Sequence, residues 1–186
     1  IVFGDWSSDV CSSDLLLSML QDGLLQDRYV RHIRRLIELS EKEIERTRFQ
    51  PEFHSMALHY YHEFSKAFDT FERRFQRDLT RAFKGFQDRG HLEIITCAST
   101  HAFLPLAGRT DSVVRGQISN AVKHYHKVLG RNPLGIWLPE CGYYPGVDEF
   151  LKESGIRYFL TDTIGILHAS PRPKYGVFAP VYCPSG

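Results

Sequence analysis

Residues 134–161 read LGIWLPECGYYPGVDEFLKESGIRYFLT, and this stretch decides the fold. Its two ends, residues 134–138 and 157–161, are short runs of apolar, β-branched and aromatic residues, which predict buried strands. Between them, residues 147–153 predict a short helix that stops at Gly155. Two strands joined through a helix form a βαβ unit, in which the strands are parallel and the crossover is right-handed.

The same alternation of strand and helix extends toward the N-terminus. Residues 91–97, HLEIITC, predict a further buried strand after Gly90. Residues 111–129 then carry apolar side chains at helical spacing, with a capping sequence at 110–112 and a C-terminal stop at Gly130. The order strand, helix, strand, helix, strand predicts an α/β fold with a parallel sheet, either a barrel or a doubly wound sheet. Since three strands cannot close a barrel, we expect the chain to hold part of one.

The first ninety residues carry helical rather than strand periodicity. Residues 16–48 predict one or two surface helices, and residues 52–89 predict a longer helix with one apolar stripe. We expect this stripe to pack in a core; it consists of Tyr61, Phe64, Phe68, Phe71, Phe75, Leu79, Ala82 and Phe86. Residues 16–89 are therefore interpreted as amphipathic helices inserted into the α/β domain.

The beginning and the end of the chain lack a regular pattern. Residues 5–15, DWSSDVCSSDL, have neither helical nor strand periodicity and look like a translated sequencing adapter, so residues 1–15 are predicted to be non-native. Residues 170–186 are rich in proline and read as a loop.

Composition excludes several classes of protein. The chain is 42% hydrophobic, as a globular protein is, and its 23 basic and 22 acidic residues give a net charge of +1, which favours neither nucleic acid nor an anionic membrane. No apolar run is long enough to span a bilayer. The four cysteines show no CxxC pair, so we predict no zinc site and a reducing, cytoplasmic location. A neutral partner such as a sugar polymer fits this balance, and no cofactor is indicated.

An ionisable residue follows each of the predicted strands. His101 lies in CASTHAFLPL, Glu140 in WLPEC and Asp162 in LTDT. Ligands of parallel α/β folds bind at the carboxyl ends of the strands, because the loops converge there. We therefore expect these side chains to meet at one edge of the sheet. Each also has a structural alternative: a surface glutamate, a hydrogen-bonded histidine and, for Asp162, a helix N-cap.

Aromatic side chains surround Glu140 in the sequence. Trp137, Tyr143 and Tyr144 lie within a few residues of it, and Pro139 stiffens the backbone directly before it. Sugars stack their C–H faces on aromatic rings, and an oxocarbenium-like transition state is stabilised by a carboxylate at the anomeric carbon. This combination favours carbohydrate chemistry.

Three segments closely resemble glycoside hydrolase family 57, in particular its branching-enzyme subgroup. They are HLEIITCASTHAFLPL, GIWLPECGYYPGVDEFLKESGIRYFLTD and PRPKYGVFAPVYCPSG. The resemblance implies an incomplete (β/α)7 barrel with inserted helices, in which Glu140 of the WLPE motif is the catalytic nucleophile. The residues predicted to bind substrate are His101, Trp137, Cys141, Tyr143 and Asp162.

The resemblance further implies a retaining double displacement on an α-glucan such as amylose, glycogen or a starch-like polymer. Glu140 would form a glycosyl-enzyme, and a glucan 6-hydroxyl rather than water would accept the transferred chain. The general acid of the family, an aspartate on a later strand, is expected beyond Gly186. The 186-residue chain is therefore expected to be inactive by itself.

Three alternatives remain open. A family 57 α-amylase or 4-α-glucanotransferase would use the same Glu140 and differ in the acceptor. A metal-dependent polysaccharide deacetylase is disfavoured, because no His-x-x-x-His or Asp-Asp pair stands at the predicted strand ends. A non-catalytic glucan-binding or structural domain would keep the fold without the chemistry.

Overall fold

A computed structural model describes residues 11–12, 14–108 and 110–186 of the chain. Residues 1–10 and 13, most of the stretch predicted to be non-native, lie outside the described residues, and that prediction stays open. The chain divides into two compact units. Residues 18–89 form a helical unit, and residues 90–186 form an α/β unit together with the described part of residues 1–17.

The α/β unit contains a four-stranded sheet in the order β1-β2-β3-β4. The strands are β1 (Cys11–Ser12), β2 (Ile95–Cys97), β3 (Gly135–Trp137) and β4 (Tyr158–Leu160), and every pairing is parallel. The predicted α/β class and parallel sheet are confirmed, with each predicted strand shorter than expected. Strand β1 was not predicted, because it falls in the stretch that was set aside. The described residues form an open sheet and not a closed barrel.

Helices connect the strands as the βαβ pattern requires. Helices α5 (Leu104–Ala107) and α6 (Asp111–Leu129) lie between β2 and β3, and α6 ends at Gly130, whose φ of 74° is left-handed. A 3-10 helix (Pro139–Cys141) and α7 (Val147–Glu153) lie between β3 and β4. Helix α8 (Thr163–Leu167) and a 3-10 turn (Gly176–Phe178) follow β4. The predicted α6 and α7 are confirmed.

The core of this unit is formed by apolar side chains of the sheet and of the crossover helices. They are Ala98, Leu104, Val114, Ile118, Ile136, Leu138, Val147, Leu151 and Ile156, all buried. Burying an aliphatic side chain stabilises a fold by about 1.5–3 kcal/mol. This core fixes the strand ends from which the candidate site projects.

Residues 14–88 form α1 (Asp14–Gln21), α2 (Gly23–Arg46), α3 (Pro51–Phe68), a π-helix (Asp69–Arg74) and α4 (Leu79–Asp88). The prediction of one helix over residues 52–89 is wrong. The chain leaves the helix at 75–78, where Gln76 and Arg77 have φ of 49° and 67°. Asp78 is the N-cap of α4, because its Oδ1 accepts a hydrogen bond from the Arg81 N–H at 2.8 Å.

The predicted phenylalanine core forms only in part, because most of the stripe is half-buried. Within the stripe only Phe71 is buried, where the ring of Tyr29 packs edge-on against it at 4.7 Å between centroids. Tyr61 and Phe86 are exposed. Because the helix is interrupted, steps of three and four residues no longer define a single face.

Helix α3, of 18 residues, exposes mainly aromatic and apolar side chains such as Phe53, Met56 and Tyr60, whereas α2, of 24 residues, carries charged side chains along its exposed face. Glu38 and Lys42 on α2, for example, form an exposed ion pair. Over the described part of the chain, no helix is both long and apolar enough to cross a membrane.

Candidate active site

The ends of β2 and β3 bring two of the predicted residues together. His101 lies in the loop after β2, and Glu140 lies in the turn after β3. Because the strands are parallel, both loops leave the same edge of the sheet. The His101 Nε2 lies 3.7 Å from the Glu140 Oε1, so an imidazole and a carboxylate face each other there.

Glu140 is held in a strained turn. The Cys141 N–H donates to the Leu138 carbonyl oxygen at 2.8 Å, and Glu140 between them has φ 55° and ψ 27°. This left-handed backbone conformation is normally adopted by glycine, and it costs about 1–2 kcal/mol in an L-amino acid. Strain of this kind is concentrated at functional sites. The Glu140 side chain is 71% exposed, so the turn presents its carboxylate to solvent.

His101 is held by backbone and side-chain contacts. It too is left-handed, with φ 56°, and its N–H donates to the Ala98 carbonyl oxygen at 2.8 Å. Its Nδ1 lies 3.2 Å from the Sγ of Cys97, the last residue of β2, which is fully buried. Sequence reasoning missed Cys97, although a cysteine four residues before the histidine in CASTH was the available signal.

The two loops pack directly on each other. A Cβ placed on Gly142 would lie 2.5 Å from the Phe103 Cε2 and 2.9 Å from the Pro105 Cδ. No side chain fits in that gap, so glycine at 142 is required for the β3 turn to approach the loop that carries His101. This close approach was not foreseen from the sequence.

The third predicted residue, Asp162, caps a helix. Its Oδ1 accepts a hydrogen bond from the Ile164 N–H at 2.7 Å, at the start of α8. Its charge nevertheless reaches the same edge: burial raises the pKa of the Cys141 thiol, and the charges of Asp162 and Glu140 raise it further. Cys141 therefore stays protonated near neutral pH. A role for Asp162 or Cys141 in substrate binding remains a prediction.

The aromatic residues around Glu140 differ in their surroundings. Trp137 is half-buried at the end of β3. The ring of Tyr143 stacks on Phe159, with centroids 5.6 Å apart, and its hydroxyl donates to the Asp148 Oδ1 at 3.5 Å. Burial and the Asp148 charge raise the Tyr143 pKa. One face of Tyr143 is thus covered by protein, and sugar stacking on Trp137 or Tyr143 stays a prediction.

The chemistry available at this edge is that of a carboxylate and an imidazole. In the described ranges, no three or more His, Cys, Asp or Glu side chains are placed to hold a metal ion. An exposed carboxylate attacks an electrophilic carbon as an anion, and an imidazole N–H donates a hydrogen bond to a substrate or to the carboxylate.

A carboxylate presented at the carboxyl edge of a parallel sheet fits the role of one of the two carboxyl groups with which glycoside hydrolases cleave a glycosidic bond. The sequence model described as Glycosyl hydrolase family 57 matches residues 2–186, and the chain belongs to this family.

Relatives in the family carry different activities in their names. The α-amylase AmyC from Thermotoga maritima is 41% identical, and its crystal structure superposes with a TM-score of 0.88 over 98% of this chain and 36% of that chain. The branching enzyme from Pyrococcus horikoshii is 28% identical, with a TM-score of 0.79 over 87% of this chain and 33% of that chain. The 1,4-alpha-glucan branching enzyme TK1436 from Thermococcus kodakarensis is 32% identical over 80% of this chain and 24% of that protein. The chain thus spans about a quarter to a third of the length of these relatives.

Proposed function

We propose that this chain is the nucleophile-bearing part of a retaining 1,4-α-glucan branching enzyme. One observation carries the proposal: Glu140, exposed on a strained turn, faces His101 at 3.7 Å at the carboxyl edge of the sheet. Branching enzymes are among the relatives in both sequence and structure, which supports the α-glucan as substrate. We also propose that this sheet is part of a (β/α)7 barrel and that the protein is cytoplasmic.

The proposed reaction has two displacements. A Glu140 carboxylate oxygen attacks the anomeric carbon, the α-1,4 bond breaks, and a general acid protonates the departing glucan 4-oxygen. The 6-hydroxyl of another glucan then attacks the glycosyl-enzyme, gives its proton to the same acid group, and releases Glu140. The stereochemistry at the anomeric carbon is thereby retained.

The second carboxyl group is assigned to the family aspartate on a later strand and not to Asp162. Retaining enzymes need their two carboxyl groups about 5–5.5 Å apart, one of them free to exchange a proton with the substrate. The Asp162 Oδ1 already accepts the Ile164 N–H. His101 is proposed to donate a hydrogen bond at the cleaved bond, with Trp137 and Tyr143 providing stacking surfaces.

Hydrolysis is the second candidate, because AmyC, an α-amylase, is 41% identical over nearly the whole chain. The nucleophile and the glycosyl-enzyme would be the same, and water would replace the 6-hydroxyl. A 4-α-glucanotransferase would use a 4-hydroxyl instead. A non-catalytic glucan-binding domain is disfavoured by the strain at Glu140, which a purely structural turn has no reason to retain.

The test uses the protein expressed from its complete reading frame and incubated with amylose. Iodine absorbance and new reducing ends are followed together for the parent and for Glu140→Gln. The matched control is Glu149→Gln, which neutralises an exposed glutamate on α7 nearby in the sequence.

Branching predicts that iodine absorbance falls without a matching rise in reducing ends, that Glu140→Gln abolishes this change, and that Glu149→Gln does not. If reducing ends rise in step with the loss of absorbance, the protein is a hydrolase. An active Glu140→Gln variant would overturn the nucleophile assignment for both candidates.

A further inference from the structure

A buried thiol lies behind the imidazole of the candidate site. Cys97 ends β2, is fully buried, and is not part of a disulfide. Its Sγ is 3.2 Å from the His101 Nδ1, and the His101 Nε2 on the other side of the ring is 3.7 Å from the Glu140 Oε1. Cys97, His101 and Glu140 therefore form a continuous series from the core of the sheet to the exposed carboxylate.

We infer that Cys97 is a positioning residue: its thiol donates a hydrogen bond to the His101 Nδ1 and so fixes the ring with Nε2–H toward Glu140. This inference rests on the proposed function for its catalytic consequence. A neutral imidazole carries one N–H, and the hydrogen bond made by one nitrogen decides which nitrogen keeps the proton.

The charge at the site favours this direction of the hydrogen bond. An ionised carboxylate is only an acceptor, so the nitrogen that faces Glu140 is stabilised when it bears the proton. The Nδ1 lone pair then points at Cys97, whose S–H is a weak donor. The opposite tautomer would place a lone pair against the carboxylate and turn the ring donor away from the substrate side.

Cys97 also helps to hold a backbone that is strained. His101 has φ 56°, which persists only where the surroundings fix it. The hydrogen bond from the His101 N–H to Ala98 fixes the main chain, and the Cys97 contact fixes the ring. Orientation of a side chain within a fraction of an ångström is what a reacting site requires.

The kinetic test compares Cys97→Ala and Cys97→Ser in the protein expressed from its complete reading frame. Cys97→Ala removes the donor, and kcat on amylose should fall about fivefold to tenfold, as for loss of one hydrogen bond. Cys97→Ser retains a donor and should restore most of kcat. Thr96→Ser is the matched control, because it deletes one buried methyl group from the same strand, on the opposite face of the sheet.

A double variant separates a positioning role of Cys97 from a simple loss of stability. In His101→Gln, which lacks the Nδ1, adding Cys97→Ala should produce no further loss of kcat. If the two losses multiply, Cys97 acts independently of His101, and the inference is wrong.

The direct test is ¹⁵N NMR of histidine-labelled protein, with the His101 signals identified by their absence in His101→Gln. We expect the His101 Nε2 to carry the proton in the parent and in Cys97→Ser, and a mixture of tautomers in Cys97→Ala. This readout does not depend on glucan activity, so it decides the inference even if Glu140→Gln overturns the proposed function. An unchanged His101 tautomer in Cys97→Ala would overturn the inference even where branching through Glu140 is confirmed.

Discussion

The sheet has an amino edge, where its parallel strands begin, and a carboxyl edge, where they end. The two edges differ in how tightly their side chains are held by hydrogen bonds. At the amino edge, the Tyr158 hydroxyl donates to the Glu93 Oε1 and the Tyr125 hydroxyl donates to the Ile94 carbonyl oxygen, each at 2.7 Å. At the carboxyl edge, His101 and Glu140 face each other at 3.7 Å on left-handed backbone. The same strands therefore carry short hydrogen bonds at the amino edge and strained backbone at the carboxyl edge.

This difference separates stability from chemistry within one small sheet. In parallel α/β folds, residues at the amino ends of the strands serve stability, while residues at the carboxyl ends serve catalysis. The strain at Glu140 and His101 persists because the amino edge and the core hold the strands in place. Substitutions at the two edges should therefore affect different measurements.

The largest effect on stability is expected from Gly135→Ala at the amino edge. A Cβ there would lie 2.3 Å from the Tyr158 Cζ, so the ring must move away from β3 and from Glu93. We expect a loss of about 2–3 kcal/mol in the free energy of unfolding, measured by urea denaturation. Gly116→Ala in α6, where an added Cβ would meet no atom beyond its own chain neighbours and helix backbone within 4 Å, should instead stabilise the fold by about 0.5–1 kcal/mol. Equal changes in the free energy of unfolding for the two variants would show that the close approach of Tyr158 to Gly135 is not the cause of the loss.

The corresponding substitution at the carboxyl edge, Gly142→Ala, should affect activity more than stability. The added Cβ would push Phe103 and Pro105 away and displace the loop that holds His101. A shift of about 1 Å lowers kcat on amylose by about tenfold to a hundredfold. Gly165→Ala in α8 is the control, since its Cβ meets only the Thr161 Oγ1 at 3.6 Å. Full activity in Gly142→Ala would show that the two loops are not coupled.

Glu140→Gly tests the strain itself. Glycine adopts φ 55° without penalty, so this variant should be about 1 kcal/mol more stable than Glu140→Gln, while both are inactive. Thermal and urea unfolding of the two variants measure the difference. A glycine variant that is no more stable than the glutamine variant would mean that the turn carries no strain.

The smallest effect concerns pH at the amino edge. Burial, followed by the hydrogen bond to Glu93 and the Glu93 charge, raises the pKa of Tyr158 from 10.0 to about 12. The folded protein therefore keeps a proton that the unfolded chain loses, so this stabilisation is complete below pH 10 and is lost as pH rises toward 12. Tyr158→Phe should flatten the fall in unfolding free energy between pH 10 and 12, measured by urea denaturation at each pH. An unchanged slope would assign that fall to other groups.

The helices and strands that are specified by residues close together in the sequence were predicted well. The period of residues 111–129, with Gly130 as a stop, specified α6, and the apolar runs specified three parallel strands. The helix over residues 52–89 was wrong because Asp78 competes as an N-cap, and the stripe around Phe71 therefore did not form one core face.

The candidate site divides in the same way. Its residue types and their places at strand ends followed from the sequence, because the ends of parallel strands must share an edge. The contact of Cys97 with His101 and the fit of Gly142 against Phe103 did not follow, because both depend on the distance between loops.

By itself the sequence determined the α/β class, the parallel direction of the strands and a carboxylate, Glu140, at a strand end, since these depend on local periodicity and chain connectivity. At Asp162 the sequence offered a helix N-cap as an alternative to a site role, and the structure has that cap. Only the tertiary structure decided that Glu140 and His101 adopt left-handed backbone and face each other. Strain and side-chain orientation arise from packing among residues distant in sequence, and no local pattern encodes those distances.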